Sequence, residues 1–218
     1  MIRTRRPNCD EVLKKLEMDI LVGKYKQRER LVESEIMDRY GITRNAVRKI
    51  FKDIEIKGIV THVPNRGIHV AELEYKKAED LYFIRVLLEN YGADLVFKNI
   101  SGSQLDNLTR VNNQFQKAVE KANLHEMMKV NNAFHQSIMD ISGSSVLSEM
   151  LNQIRNRLIT IRHYVWLYPE HIQKSIEDHE TLIEALRERD LVKFKRVNDT
   201  HILAPFEIYT KIKDLNII

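Results

Sequence analysis

From Tyr75 onward the apolar residues of this 218-residue chain recur at intervals of three and four, and no strand-like alternation survives. Residues with that period bury one face of a helix, so this stretch can shield its apolar surface only by packing helix on helix. It divides into six predicted helices, at about 75–98, 103–121, 124–141, 145–167, 170–188 and 190–214. Ser103, Asn123, Ser144 and Asp190 stand at helix starts, where a short polar side chain accepts from otherwise unpaired amides. Only seven glycines and four prolines occur in the whole sequence, which favours helices with short connections. No apolar run approaches the length of a membrane span. The basic opening MIRTRRPN has no apolar stretch behind it and does not read as a secretory signal. The single cysteine, Cys9, excludes an internal disulfide framework and suits a reducing cytoplasm.

The first third is built differently. Asn8 is placed to cap a helix whose apolar positions are Val12, Leu13, Leu16, Ile20 and Leu21, with Gly23 as its stop. A second helix, LVESEIMDRY, turns Leu31, Ile36 and Tyr40 inward and ends at Gly41. Thr43 caps a third, RNAVRKIFKDIEIK, with Ala46, Val47, Ile50, Phe51 and Ile54 as its buried stripe and Gly58 beyond it. IVTHVPNRGIHVAEL then alternates as two strands, around 59–63 and 67–71. The predicted architecture is mainly α. A winged helix-turn-helix occupies residues 1–73, and an all-helical bundle for ligand binding and dimerisation occupies 74–218.

Charge separates the same two regions. Residues 1–71 hold 16 Lys and Arg against 10 Asp and Glu, net +6, and the remainder holds 19 against 21, net −2. A basic module on a slightly acidic body suggests a polyanion partner. The turn of about three residues at Gly41 is the connection of a helix-turn-helix, whose second helix enters the major groove of double-stranded DNA. Its polar residues here are Arg44, Asn45, Arg48 and Lys49. Arginine forks onto guanine and asparagine onto adenine, each worth roughly 1–3 kcal/mol of discrimination. Thr43 is placed to meet a phosphate, and His62, Asn65 and Arg66 near the hairpin tip suit phosphate or minor-groove contact. A solvated basic face on a three-helix bundle would share the helices. The wing, the cap and the clustered arginines turn the reading to DNA. One recognition helix covers a half-site, so the expected binder is a homodimer on a palindromic operator.

Polar residues in the bundle need a separate account. Asn131 and His135 lie four apart and share a helix face, while His179 and His201 border apolar stripes of two other helices. Each histidine taken singly reads as a hydrogen-bonded core residue. Three edging the inward faces of different helices point to a nitrogen-rich pocket for Zn²⁺, Ni²⁺ or Mn²⁺ with positions open to an exogenous ligand. Arg85, Arg157 and Arg162 border inner faces as well, and a buried arginine needs an anion: Glu89, or the carboxylate of an effector. Trp166, Tyr164 and Tyr168 read as core or interface residues. The rival class is a metal-dependent hydrolase with an appended basic domain. It lacks a His-Glu-x-x-His helix, and Glu180 is the one carboxylate obviously placed as a general base.

The stretch ERLVESEIMDRYGITRNAVRKIFKDIEIKGIVTHVPNRGIHV resembles the winged helix of GntR-family bacterial transcription regulators at Leu31, Glu33, Gly41, Ile42, Thr43, Arg44, Val47, Arg48, Gly58, Arg66 and Gly67. Asn45–Ala46 stand where that family has Thr-Pro, and Lys49–Ile50–Phe51 where it has Glu-Ala-Leu, so its usual operator is not carried over. NNAFHQSIMDISGS, EDHETLIEALRERD and THI resemble the FadR C-terminal-type (FCD) effector domain of the same regulators. By that resemblance His135, His179 and His201 fall on metal-binding histidines, and Asn131 on a position usually held by aspartate. The resemblance implies a transcription regulator, usually a repressor, that answers to a small carboxylate drawn to a divalent metal. A neutral amide at 131 would hold that metal less tightly than a carboxylate.

Overall fold

Asn8 accepts from the Asp10 amide at 3.2 Å and starts α1 (Cys9–Leu21), which buries Val12, Leu16 and Ile20. The computed structural model describes residues 8–166 and 168–214. The basic opening 1–7, and the side chains of Leu21, Thr160, His163, Tyr164 and 212–214, lie outside the described residues. Two compact units form, one from the chain up to Glu74 together with Arg155–His163, the other from Tyr75–Ile154 with the chain from Tyr164 on.

In the first unit α1 is followed by β1 (Arg30–Leu31), α2 (Glu33–Tyr40), α3 (Arg44–Ile56), β2 (Val60–Val63) and β3 (Gly67–Val70). The hairpin β2–β3 is the predicted wing. It gains a third strand, since β1 pairs antiparallel with β3 in the order β1-β3-β2, with Leu31 opposite Ile68. The periodicity had assigned Leu31 to the second helix. Two residues are too few for any period to declare, and α2 instead starts at Glu33. Val47, Ile50, Phe51 and Ile54 of α3 are buried, each such side chain contributing about 1.5–3 kcal/mol. A buried carboxylate, Asp19, accepts from the Tyr40 hydroxyl and from Lys24, both at 2.7 Å, tying α1 to the end of α2. Burial and the bond to Asp19 push the Tyr40 phenol well above its ordinary range. Gly41 closes α2 in the left-handed conformation at φ 65°, and its amide donates to the Met37 carbonyl at 2.8 Å.

The second unit holds α4 (Tyr75–Asn99), α5 (Gly102–Glu120), α6 (Leu124–Ile141), the start of α7 (Ser145–Arg157), the end of α8 (Ile159–Val165), α9 (Pro169–Glu188) and α10 (Leu191–Asp214). Its core contains Tyr82, Phe115, Phe134 and Phe194. α5 packs on α6 and α9, α10 packs on α9 and α4, and α4 packs on α6. Two expectations change. The helix predicted over 145–167 breaks at Leu158, inside the segment Arg155–His163 that groups with the first unit while its flanks belong to the second. The cap of α5 is Ser101, which forms a capping box with Gln104, where Ser103 was expected. Asn123 and Asp190 accept from the Glu126 and Lys193 amides at 3.1 and 2.8 Å, and Ser144 accepts from the Leu147 amide at 3.3 Å. Inside α10, Pro205 has no N–H to give the carbonyl of His201 four residues earlier.

A methyl group added at Gly41 would meet nothing within 4 Å among the described residues. Gly41→Ala therefore tests the backbone alone. It should lose about 1–2 kcal/mol, seen in chemical denaturation as a lower midpoint at unchanged slope.

Candidate functional site

Thr43 caps α3 by accepting from the Ala46 amide at 3.4 Å. Beyond it Arg44, Asn45, Arg48 and Lys49 are all exposed, while Val47 among them and Ile50 just after them are buried. The helical period thus leaves one polar face of α3 free. Arg48 Nε donates to Glu33 at 2.9 Å, and Arg44 Nε lies 3.5 Å from the same carboxylate. The wing turns at Pro64–Asn65, where the Arg66 amide donates to the Val63 carbonyl at 3.0 Å and Asn65 takes φ 62°. Arg66 is exposed at this tip. Between α3 and the sheet lies a groove of about 500 Å³, lined by Arg30, Glu33, Arg44, Arg48, Lys52 and His62 among others. Sequence reasoning missed Arg30 and Lys52. Lys52 was legible, because 44, 48 and 52 are successive turns of one helix face.

The second site lies in the bundle. His135 on α6, His179 on α9 and His201 on α10 are buried, their ring centroids 5.2, 5.0 and 5.1 Å apart in pairs. One nitrogen from each falls within 4.8 Å of the other two. His135 Nε2 and His201 Nε2 are 3.1 Å apart, inside the separation of about 3.0–3.4 Å that two nitrogens 2.0–2.1 Å from one ion adopt. Each of two rings is set by a residue that sequence reasoning missed. Asn112 on α5 holds His179 Nδ1 at 3.1 Å, and Asp178 holds His201 Nδ1 at 3.2 Å. Those contacts assign the proton to Nδ1 and leave the lone pair on Nε2 in both rings. Phe134 stacks on His179 at 4.0 Å.

His179 Nε2 is buried and, among the described residues, has no hydrogen-bond partner. An acceptor in that state is what a metal ligand offers, so these residues fit a divalent ion of the nitrogen-binding class. Burial, then the nearby His201, hold the His179 imidazole well below its ordinary range and hence neutral, the form that coordinates. Burial pushes the Asp178 carboxyl up, but hydrogen bonds from His201 and Lys174 outweigh it and hold the group low. Lys174 stands 2.7 Å from Asp178.

Asn131 is buried one turn before His135. Arg85 is buried and donates to Glu89 at 2.8 Å, and Glu89 is also 3.5 Å from Asn198 Nδ2. Arg157, which is exposed, and Arg162, half-buried, fall in the segment 155–163 that groups with the first unit. Trp166 is buried against Phe115, and Tyr168 is half-buried. Glu180 is exposed and receives Gln116 Nε2 at 2.6 Å.

A recognition helix flanked by a wing, in a chain with a separate helical bundle, defines a DNA-binding transcription regulator. Residues 8–70 match the family described as bacterial regulatory proteins, gntR family, and residues 80–204 match the FCD domain. The chain belongs to the GntR family and carries an FCD domain after its helix-turn-helix domain. The HTH-type transcriptional regulator McbR of Escherichia coli (strain K12) is 24% identical over 177 residues, 80% of this chain and 80% of that protein. The HTH-type transcriptional repressor RspR of the same strain is 22% identical over 186 residues, 85% of this chain and 82% of that one. Among solved structures, E. coli McbR/YncC superposes with a TM-score of 0.80 at 21% identity, covering 93% of this chain and 97% of that one. The families and relatives are transcription regulators and not enzymes, which sets the hydrolase reading aside. Among the described residues no helix is long and apolar enough to cross a membrane.

Asn112→Ala would leave the buried Nδ1–H of His179 without an acceptor. The variant should fold but unfold about 1–3 kcal/mol more easily in thermal melts.

Proposed function

We propose that this protein is a ligand-responsive, sequence-specific repressor of transcription. In this reading residues 1–73 read DNA, and residues 74–218 bind a divalent metal and a small carboxylate and dimerise. Thr43, Arg44, Asn45, Arg48, Lys49 and Arg66 would contact the operator, the arginines and Asn45 at base edges and Thr43 at phosphate. His135, His179 and His201 would hold Zn²⁺, Ni²⁺ or Mn²⁺, with the Asn131 amide oxygen as a fourth, weaker donor. The metal supplies a positive centre for a carboxylate effector. The observation that carries this reading is the unpartnered, buried Nε2 of His179 beside two further imidazoles.

Arg85 is the arginine of the expected three that lies in the same unit as the imidazoles. Its partner Glu89 meets Asn198, one turn before His201 on α10, so an effector carboxylate that replaced Glu89 would be felt along the same helix. Phe83, Leu87 and Tyr91 are exposed at successive turns of α4, with Ile84 beside them, which supports a second copy of the chain as their cover. Repression accords with the name of the relative RspR. Work on DNA and the scarcity of cysteine accord with the cytoplasm.

Two measurements test this. In calorimetric titration of chelator-stripped protein with Zn²⁺ or Ni²⁺, His179→Ala should bind at least tenfold more weakly than the native chain; equally weak binding by both removes the metal site. In gel shifts at fixed salt on DNA upstream of its own gene, Arg44→Ala should abolish the sharp shift while leaving diffuse, salt-sensitive binding.

A further inference from the structure

One carboxylate serves both arginines of the recognition helix. Glu33, the first residue of α2, sets Oε1 2.9 Å from Arg48 Nε and Oε2 3.5 Å from Arg44 Nε. The carboxylate side chain is 33% exposed and the arginines 61% and 63% exposed, so the pairs sit at the lip of the groove and outside the core. Stability does not explain them: exposed ion pairs contribute little, and in solvent both arginines would otherwise sample many rotamers.

Geometry suggests another use. Arg44 and Arg48 are four residues apart on one helix face, where two like charges repel. A shared carboxylate removes that repulsion and gives both side chains one direction. It meets each guanidinium through Nε, which leaves the two terminal Nη groups for other acceptors. Of the ways a guanidinium can fork onto guanine O6 and N7, contact through Nε is thereby withdrawn and contact through the terminal pair is kept. The same negative charge weakens the pull of both arginines on phosphates, the contacts that supply sequence-independent binding.

We infer that Glu33 is a specificity-determining positioning residue, whose carboxylate aligns Arg44 and Arg48 for base reading and withholds them from the DNA backbone. This rests on the reading that Arg44 and Arg48 face base edges. Glu33 also lies in the first turn of α2, where any carboxylate favours the helix dipole, and that purely structural role makes a different prediction.

The test is selection from a pool of duplexes with a randomised central stretch, using the full chain and its Glu33→Gln and Glu33→Asp variants, each also titrated with an alternating inosine–cytosine duplex and melted thermally. The native chain should enrich a motif with defined guanine positions. Glu33→Gln should enrich the same motif with one or two of those positions degenerate, and should bind the inosine–cytosine duplex more tightly. Its ratio of specific to non-specific affinity should fall about tenfold. Glu33→Asp keeps the charge at the start of α2 but reaches less far, so it should lose discrimination at the same positions by a smaller factor. If Glu33→Gln fails to fold, this variant decides the matter by itself. An unchanged motif in the variants, with all duplexes weakened alike or with a lower melting temperature alone, overturns the inference. Failure of the native chain to enrich any motif removes the base-reading assignment for the arginines, and the role of Glu33 with it.

Discussion

α9 packs against α5 on one side and α10 on the other, and this double contact determines where the imidazoles go. Neighbouring residues on a helix point about 100° apart. Asp178 therefore turns to His201 on α10, while His179 turns to Asn112 on α5. Two consecutive side chains of one helix thus hold their partners on two other helices in register. His135 arrives from α6, which packs on α5, so each ring is carried by a helix whose position the apolar core sets. Phe115 and Phe134, fully buried, fill the space against His179 and keep it from turning away. A buried neutral acceptor without a donor is costly to the fold unless something fills its place, and that asymmetry is the strongest physical reason to expect a cation there.

Carboxylates direct cations in both units, with different consequences. Arg85 and Glu89 are buried together, an arrangement that adds little stability compared with apolar packing but makes loss of either partner expensive. Glu33, at the surface, meets Arg44 and Arg48 where solvent screens the pairs. The same chemistry therefore sits in the dry interior of the bundle and in the wet groove of the first unit.

Legibility followed range. The helical period marked Val12, Leu16 and Ile20 of α1 and Val47, Ile50, Phe51 and Ile54 of α3, while Leu13 and Ala46 at the edges of those stripes are half-buried. Thr43, Asn8 and Asn123 capped where their types predict, because these depend on residues within one turn. Apart from the cap of α5, which fell two residues early at Ser101, errors fell where a distant partner decided. β1 exists because β3 lies beside it, and two residues of strand have no pattern of their own. The helix expected over 145–167 broke at Leu158, within a segment that groups with the first unit while its flanks belong to the second.

The residues of the candidate sites divide in the same way. Arg44, Asn45, Arg48 and Lys49 could be read directly, since consecutive turns of one helix present them to solvent. His135, His179 and His201 could be nominated one by one, as polar residues bordering apolar stripes. Convergence to about 5 Å between rings was not in the spacing, because it arises from the packing of α6, α9 and α10 across long stretches of chain. Asn112, Asp178 and the double role of Glu33 became visible only in three dimensions. A hydrogen bond depends on where two atoms meet, and for residues 67, 23 or 15 positions apart that place is set by the fold.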